Sequence, residues 1–231
     1  MTIRHPKLAV LFLAVIFSNA VPAAEKPNII LVMADDQGWG DMAYNGHPLL
    51  KTPNFDKAAA TGLRFDRFYA AAPVCSPTRA SVLTGRHPNR SGVFKWGYPL
   101  RPQESTLAEV LKTAGYTTAH FGKWHLGSVR RTSPAHPGRN GFDHWLSAPN
   151  FFDNNAVLSL KGKAVKTSGE SSIVTVDAAL EWIGRESKRD TPFLAVVWFG
   201  SPHSPHRAVS RDRKPYAGQP MRNQHFLGEV T

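Results

Sequence analysis

From Pro27 onward the apolar positions fall into blocks that read alternately as strand and helix. "NIILVMA" (28–34) is apolar almost without interruption over a strand's length and stops at Asp35-Asp36, just before the turn "QGWGD". Such a run predicts a strand buried on both faces, as in a parallel sheet. "TPNFDKAAATG" (52–62) has Thr52 at a cap position, Pro53 at the first helical position and Gly62 at the stop, which predicts a short helix. "LRFDRFYA" (63–70) predicts a return to extended chain. Ser76 as cap, Pro77 in the first turn, "TRASVLT" and then Gly85 predict a second helix that begins beside Cys75.

The same grammar recurs twice. "STLAEVLKTAG" (105–115) carries a capping box from Thr106 to Glu109 and ends at Gly115, after which "YTTAHFG" is extended and runs into "KWHLG". In "SSIVTVDAALEWIGRE" (171–186), Ile173, Val176, Leu180 and Ile183 share a helical face, and "PFLAVVWFG" follows as a buried strand ending at "SPHSPH" (201–206). Strands alternating with helices predict an α/β fold with a mostly parallel sheet flanked by helices. In such sheets ligands bind beyond the carboxyl ends of the strands. Asp35-Asp36, Lys123-Trp124-His125 and His203 should therefore converge near the helix that starts at Cys75. The segment 128–172, rich in Gly, Pro, Asn and Ser, predicts irregular loops reaching over that site, and the last residues predict the start of another helix.

The first 24 residues change the setting. Arg4 and Lys7, the apolar run Leu8 to Phe17 and the small-residue stretch "NAVPAAE" read as a signal peptide, which implies a secreted or periplasmic protein and a mature domain over 25–231. The run is too short to span a bilayer and no second one follows, so no stable membrane anchor is expected. The formal charge is +11, or about +9 without Arg4 and Lys7, with the basic residues scattered rather than gathered. That balance suits an anionic substrate and gives no tract that singles out nucleic acid.

Cys75 is the only cysteine, so in an oxidising compartment it is a buried bystander, a partner for another chain, or a chemically special residue. A helix N-terminus favours negative charge, which predicts a lowered thiol pKa there and an anion-binding corner. On the residues alone, Asp35-Asp36 read rather as a solvated turn than as metal ligands, and Arg79 and the Lys123/His125 pair as surface groups. His120 falls inside a strand and reads as core. Trp39, Trp96, Trp124 and Trp145 are either packing groups or the lining of a sugar pocket.

Cys-x-Pro-x-Arg followed by "ASVLTGR" closely resembles the signature of the type I, formylglycine-dependent sulfatases of the alkaline phosphatase superfamily. "PNIILVMADDQGWGD", "TPNFDKAAATGLRFDRFYAAAPVCSPTRASVLTGR", "LAEVLKTAGYTTAHFGKWHLG" and "SPHSPH" appear in the family's order. The resemblance implies sulfate ester hydrolysis on a sulfated small molecule or glycan. It further implies that a formylglycine-generating or equivalent maturing enzyme oxidises Cys75 to an aldehyde. One hydroxyl of the aldehyde hydrate attacks sulfur, and the other later loses a proton to expel the sulfate. Asp35, Asp36 and the modified Cys75 would ligate Ca²⁺, with Mg²⁺ as the alternative ion. Arg79 would steady the hydrate, Lys123 bind sulfate with His125 in support, and His203, rather than His206, protonate the leaving oxygen.

The family's later Asp-Asn metal pair, a further lysine and a C-terminal domain have no counterpart in these 231 residues. The expectation is the N-terminal part of a catalytic domain, with weak activity at most and an exposed sheet edge. The competing readings are a phosphoryl or phosphonate ester hydrolase of the same superfamily, and an inactive relic that binds sulfated glycans.

Overall fold

The computed structural model describes residues 26–231, and the signal-peptide reading of residues 1–24 lies outside them. In chain order the elements are β1 (Ile29–Met33), α1 (Pro53–Thr61), α2 (Cys75–Thr84), α3 (Pro88–Ser91), α4 (Leu107–Thr113), β2 (Thr117–Lys123), β3 (His144–Ala148), β4 (Val157–Leu160), β5 (Lys163–Lys166), α5 (Ser171–Glu186), β6 (Phe193–Trp198), α6 (Ser210–Arg213) and α7 (Met221–Val230). One six-stranded sheet has the order β1-β6-β2-β3-β4-β5. β1, β6, β2 and β3 run parallel, while β4 and β5 add an antiparallel hairpin. The α/β reading holds.

The continuous apolar runs are the buried central strands, because helices cover both faces there. On one face, Ala80 and Leu83 of α2 and Ala108 of α4 pack with Leu194, Val196, Trp198 and Trp124. On the other, Ala179 and Trp182 of α5 pack with Phe121, Phe193 and Val197. α4 has the expected capping box: the Thr106 hydroxyl accepts from the Glu109 N–H, and the Glu109 carboxylate accepts from the Thr106 N–H. Gly85 ends α2 in the left-handed region at φ +65°.

Four expectations are corrected. "LRFDRFYA" forms no strand; it has no partner strand, and Leu63, Phe65, Phe68 and Tyr69 stand in solvent. The segment 128–172 is not only loops, since it contains β3, β4 and β5. A tight Lys161-Gly162 turn, both residues at positive φ, closes the β4-β5 hairpin. The buried face of α5 is Ser171, Thr175, Ala179 and Trp182, while Ile173 and Leu180 lie on an exposed flank. α5 packs on β2 and β6 but leaves β1 uncovered, so Ile30 and Val32 on that same sheet face remain half-exposed. Finally, Ser76 does not cap α2: the helix starts at Cys75 with Val74 as its cap residue, and the Ser76 hydroxyl accepts from the Gly97 N–H instead.

Candidate active site

The carboxyl ends of β1, β6 and β2 lie side by side, and each delivers polar groups to one corner. Beyond β1, the Asp35 N–H donates to the Ser201 carbonyl at 2.9 Å, tying that exit to the one after β6. The Asp35 carboxylate lies between two cations: it accepts from Arg79 Nη2 at 3.0 Å through one oxygen and from Lys123 Nζ through the other. Arg79 Nη1 also donates to the Lys123 carbonyl at 3.1 Å, and its guanidinium lies 5.0 Å from the Trp198 ring centre. All three charged side chains are buried, Lys123 completely. Burial pulls the Arg79 pKa down while Asp35 opposes it, and guanidinium basicity leaves the group charged.

β2 aims Lys123 through its penultimate residue. Gly122 has φ +92°, and a Cβ there would lie 1.9 Å from the Trp198 carbonyl oxygen, so only glycine lets β2 approach β6 at this point. Past the strand end, the Trp124 and His125 N–H groups donate to the carbonyls of Ala148 and Pro149, each at 2.8 Å. Asp36 and His125 both adopt positive φ, near +54° and +50°, a conformation that stores strain and gathers at functional sites. Burial, with the Lys123 and Arg79 cations, holds the His125 pKa down to about 4. His125 is therefore neutral at pH 7, and its Nδ1 is buried without a partner.

Cys75 opens α2 at the floor of this corner. A carboxylate oxygen of Asp35, Cys75 Sγ and a ring nitrogen of His203 lie within 4.8 Å of one another. His203 Nε2 is 3.3 Å from Asp36, and its ring stacks on Phe152 with centres 4.3 Å apart. An open cleft of about 430 Å³ runs past Asp35, Asp36, Cys75, Thr78 and Arg79. The lowered thiol pKa expected from the helix start is corrected: burial, then the Asp35 charge, pushes the Cys75 thiol up, outweighing Lys123. The unmodified thiol is a poor nucleophile and a poor metal ligand at neutral pH.

The structure thus brings together Asp35, Asp36, Cys75, Arg79, Lys123 and His203, with His125 beside Lys123. His206 faces elsewhere and pairs with Glu229 of α7 at 3.2 Å. His120 is a core residue, its Nδ1 2.7 Å from the Ser147 hydroxyl. Trp124 and Trp145 are packed inside, whereas Trp39 and Trp96 are exposed. Phe152 and Trp198 were missed by sequence reasoning. "FFDNN" offered only paired aromatics in a polar stretch, and Trp198 read as one more apolar residue of its strand.

Acids, buried cations and a helix-start cysteine thus gather at the carboxyl ends of three adjoining parallel strands of an α/β sheet. The family model described as Sulfatase matches residues 27–226, so the chain belongs to the sulfatase family. It is 36% identical over 219 residues to N-acetylgalactosamine-6-sulfatase of Mus musculus, covering 80% of this chain and 42% of that protein. The fold matches Ps i-CgsB, solved in complex with k-i-k-neocarrahexaose, with a TM-score of 0.83 and 26% identity over 89% of this chain and 52% of that one. It also matches BT4656, solved in complex with its substrate D-glucosamine-2-N,6-O-disulfate, with a TM-score of 0.73 and 30% identity over 84% of this chain and 38% of that one. The chain spans about half or less of the length of these relatives. Among the described residues, no helix is long and apolar enough to cross a membrane.

Proposed function

We propose that this chain is the N-terminal part of the catalytic domain of an exported sulfuric ester hydrolase acting on sulfated carbohydrates. The observation that carries the reading is the buried trio Asp35, Arg79 and Lys123 next to Cys75. Two cations share the Asp35 carboxylate, so the buried trio carries one net positive charge; Asp36 at the corner's edge balances it, and a divalent cation held there would restore the excess for a monoanionic ester. The sugar preference rests on the relatives, whose names and bound molecules include N-acetylgalactosamine 6-sulfatase activity and a disulfated glucosamine.

Asp35 and Asp36 are oxygen donors placed side by side and suit a hard cation such as Ca²⁺ or Mg²⁺; with the converted Cys75 they would supply part of its shell. When bound, the cation would act as a Lewis acid toward sulfate oxygens. A maturing enzyme of the formylglycine-generating kind would convert Cys75, and the hydrated aldehyde would supply the attacking hydroxyl. Lys123 binds and neutralises the ester's sulfate oxygens. Arg79, bonded to Asp35 and to the Lys123 carbonyl, holds both at fixed spacing beside position 75. His203, on the open side of the corner, gives a proton to the departing sugar oxygen. Neutral His125 adds no competing charge next to Lys123.

The test is turnover of an aryl sulfate beside an aryl phosphate by protein matured at Cys75, with Ca²⁺ supplied and then chelated. The reading expects sulfate hydrolysis that chelation and Cys75→Ala abolish. Preferential cleavage of the phosphate would move the protein to the phosphoryl-hydrolase class, and specific binding of sulfated glycan without turnover to the relic.

A further inference from the structure

The loop between β3 and β4 places one side chain against two site residues, and neither packing nor the family reading gives that side chain a task. Phe152 stacks almost flat on His203, with an interplanar angle of 17° and centres 4.3 Å apart, and its ring centre is 4.7 Å from Lys123 Nζ. It belongs to none of the hydrophobic clusters among the described residues, whereas its neighbour Phe151 is buried with Ala148 and Leu158. Phe151 is the anchor and Phe152 the working face.

The loop is fastened to the His203 segment on both sides of that stack. A Cβ on Gly200 would lie 2.2 Å from the Phe151 carbonyl oxygen, so the exit of β6 runs directly against the loop. Beyond His203, Asn154 Nδ2 donates to the Arg207 carbonyl at 2.9 Å, and Arg207 pairs with Asp153 at 2.8 Å. Three links within four loop residues fix the loop to the 200–207 segment. Among the described residues, the polar contacts of the imidazole are Asp36 at 3.3 Å and the adjacent Ser204 carbonyl. The stacked ring adds a face-on contact that neither polar partner supplies.

We propose that Phe152 is a positioning residue for His203: its ring holds the imidazole in the plane that aims Nε2 at the corner between Asp36 and Cys75. Its other contact, with the Lys123 ammonium, keeps the sulfate-binding cation and the proton donor at a fixed spacing. The catalytic consequence rests on the hydrolase reading above, whereas the positioning itself does not.

The experiment compares Phe152→Leu and Phe152→Tyr with the unaltered 231-residue chain. A ring stacked on His203 shields its ring protons, so in Phe152→Leu their NMR signals should move downfield. Phe152→Tyr should keep them near the original position, and the His120 signals should not move in either variant. In matured protein hydrolysing an aryl sulfate, Phe152→Leu should lower kcat roughly 10- to 100-fold with KM changed far less, and Phe152→Tyr should recover most of the loss. Unmoved His203 signals in Phe152→Leu would overturn the proposal, as would a kcat loss that Phe152→Tyr does not repair. If the unaltered 231-residue chain, expected to be weakly active at most, hydrolyses no sulfate, the NMR comparison alone decides the role of Phe152.

Discussion

Asp35 is the residue on which the corner's electrostatics turn. Replacing it with alanine leaves Lys123 and Arg79 buried and uncompensated, so Asp35→Ala should destabilise the fold by about 3–5 kcal/mol in chemical denaturation. His125 supplies a pH dependence of definite sign. Its folded pKa of about 4 lies below the usual histidine value of about 6.5, so the unfolded chain takes up the proton first. Stability should be unaffected by His125 above about pH 6.5 and fall between about 6.5 and 4, by on the order of 3 kcal/mol in all. His125→Gln should flatten that part of a denaturation-versus-pH curve. The raised thiol pKa predicts that iodoacetamide alkylates unmodified Cys75 more slowly than a free cysteine peptide at pH 8, followed by mass spectrometry. Asp35, Asp36, Arg79 and Lys123 stood out only through the family resemblance of Cys-x-Pro-x-Arg and the segments around it, since on the residues alone they read as a solvated turn and surface groups; the structure gathers them at one corner. The direction of the Cys75 shift was not legible, because it depends first on burial and then on Asp35, forty residues away in sequence, and both exist only after folding.

Among the elements, β2 and α4 carry the most specific requirements. Gly122→Ala would drive a methyl into the Trp198 carbonyl at a positive φ, and should cost about 2–4 kcal/mol while displacing Lys123. Thr106→Ala removes the cap of α4 and also the hydroxyl's bond to the buried Asn140 carbonyl, at 2.9 Å. It should cost about 1–2 kcal/mol of stability without altering the corner. Strands covered on both faces announced themselves as unbroken apolar runs. β5, "KAVK", did not, because an outer antiparallel strand with one wet face needs few apolar residues. The face of α5 was misread for a related reason. Its periodicity located a helix, but which stripe is buried depends on which strands it crosses, and small residues such as Thr175 and Ala179 let it settle close on the sheet.

At the scale of the whole molecule, the corner sits beside a large apolar surface. Val32 on the outer strand β1 lines a cavity of about 480 Å³, and Tyr44 and Phe55 line both that cavity and a second of about 460 Å³ walled by exposed Phe65 and Phe68. Among the described residues β1 has a strand on one side only, and such an edge beside apolar surface favours association. Sedimentation should show self-association rising with concentration, and Val32→Lys should reduce it while leaving the corner's geometry unchanged. The proposed catalytic chemistry nevertheless depends on a single covalent change at position 75. The most direct measurement is therefore the mass of the peptide spanning Cys75, taken after co-expression with a formylglycine-generating enzyme. An aldehyde in place of the thiol is the predicted result; a thiol left intact in the presence of that enzyme would contradict the account.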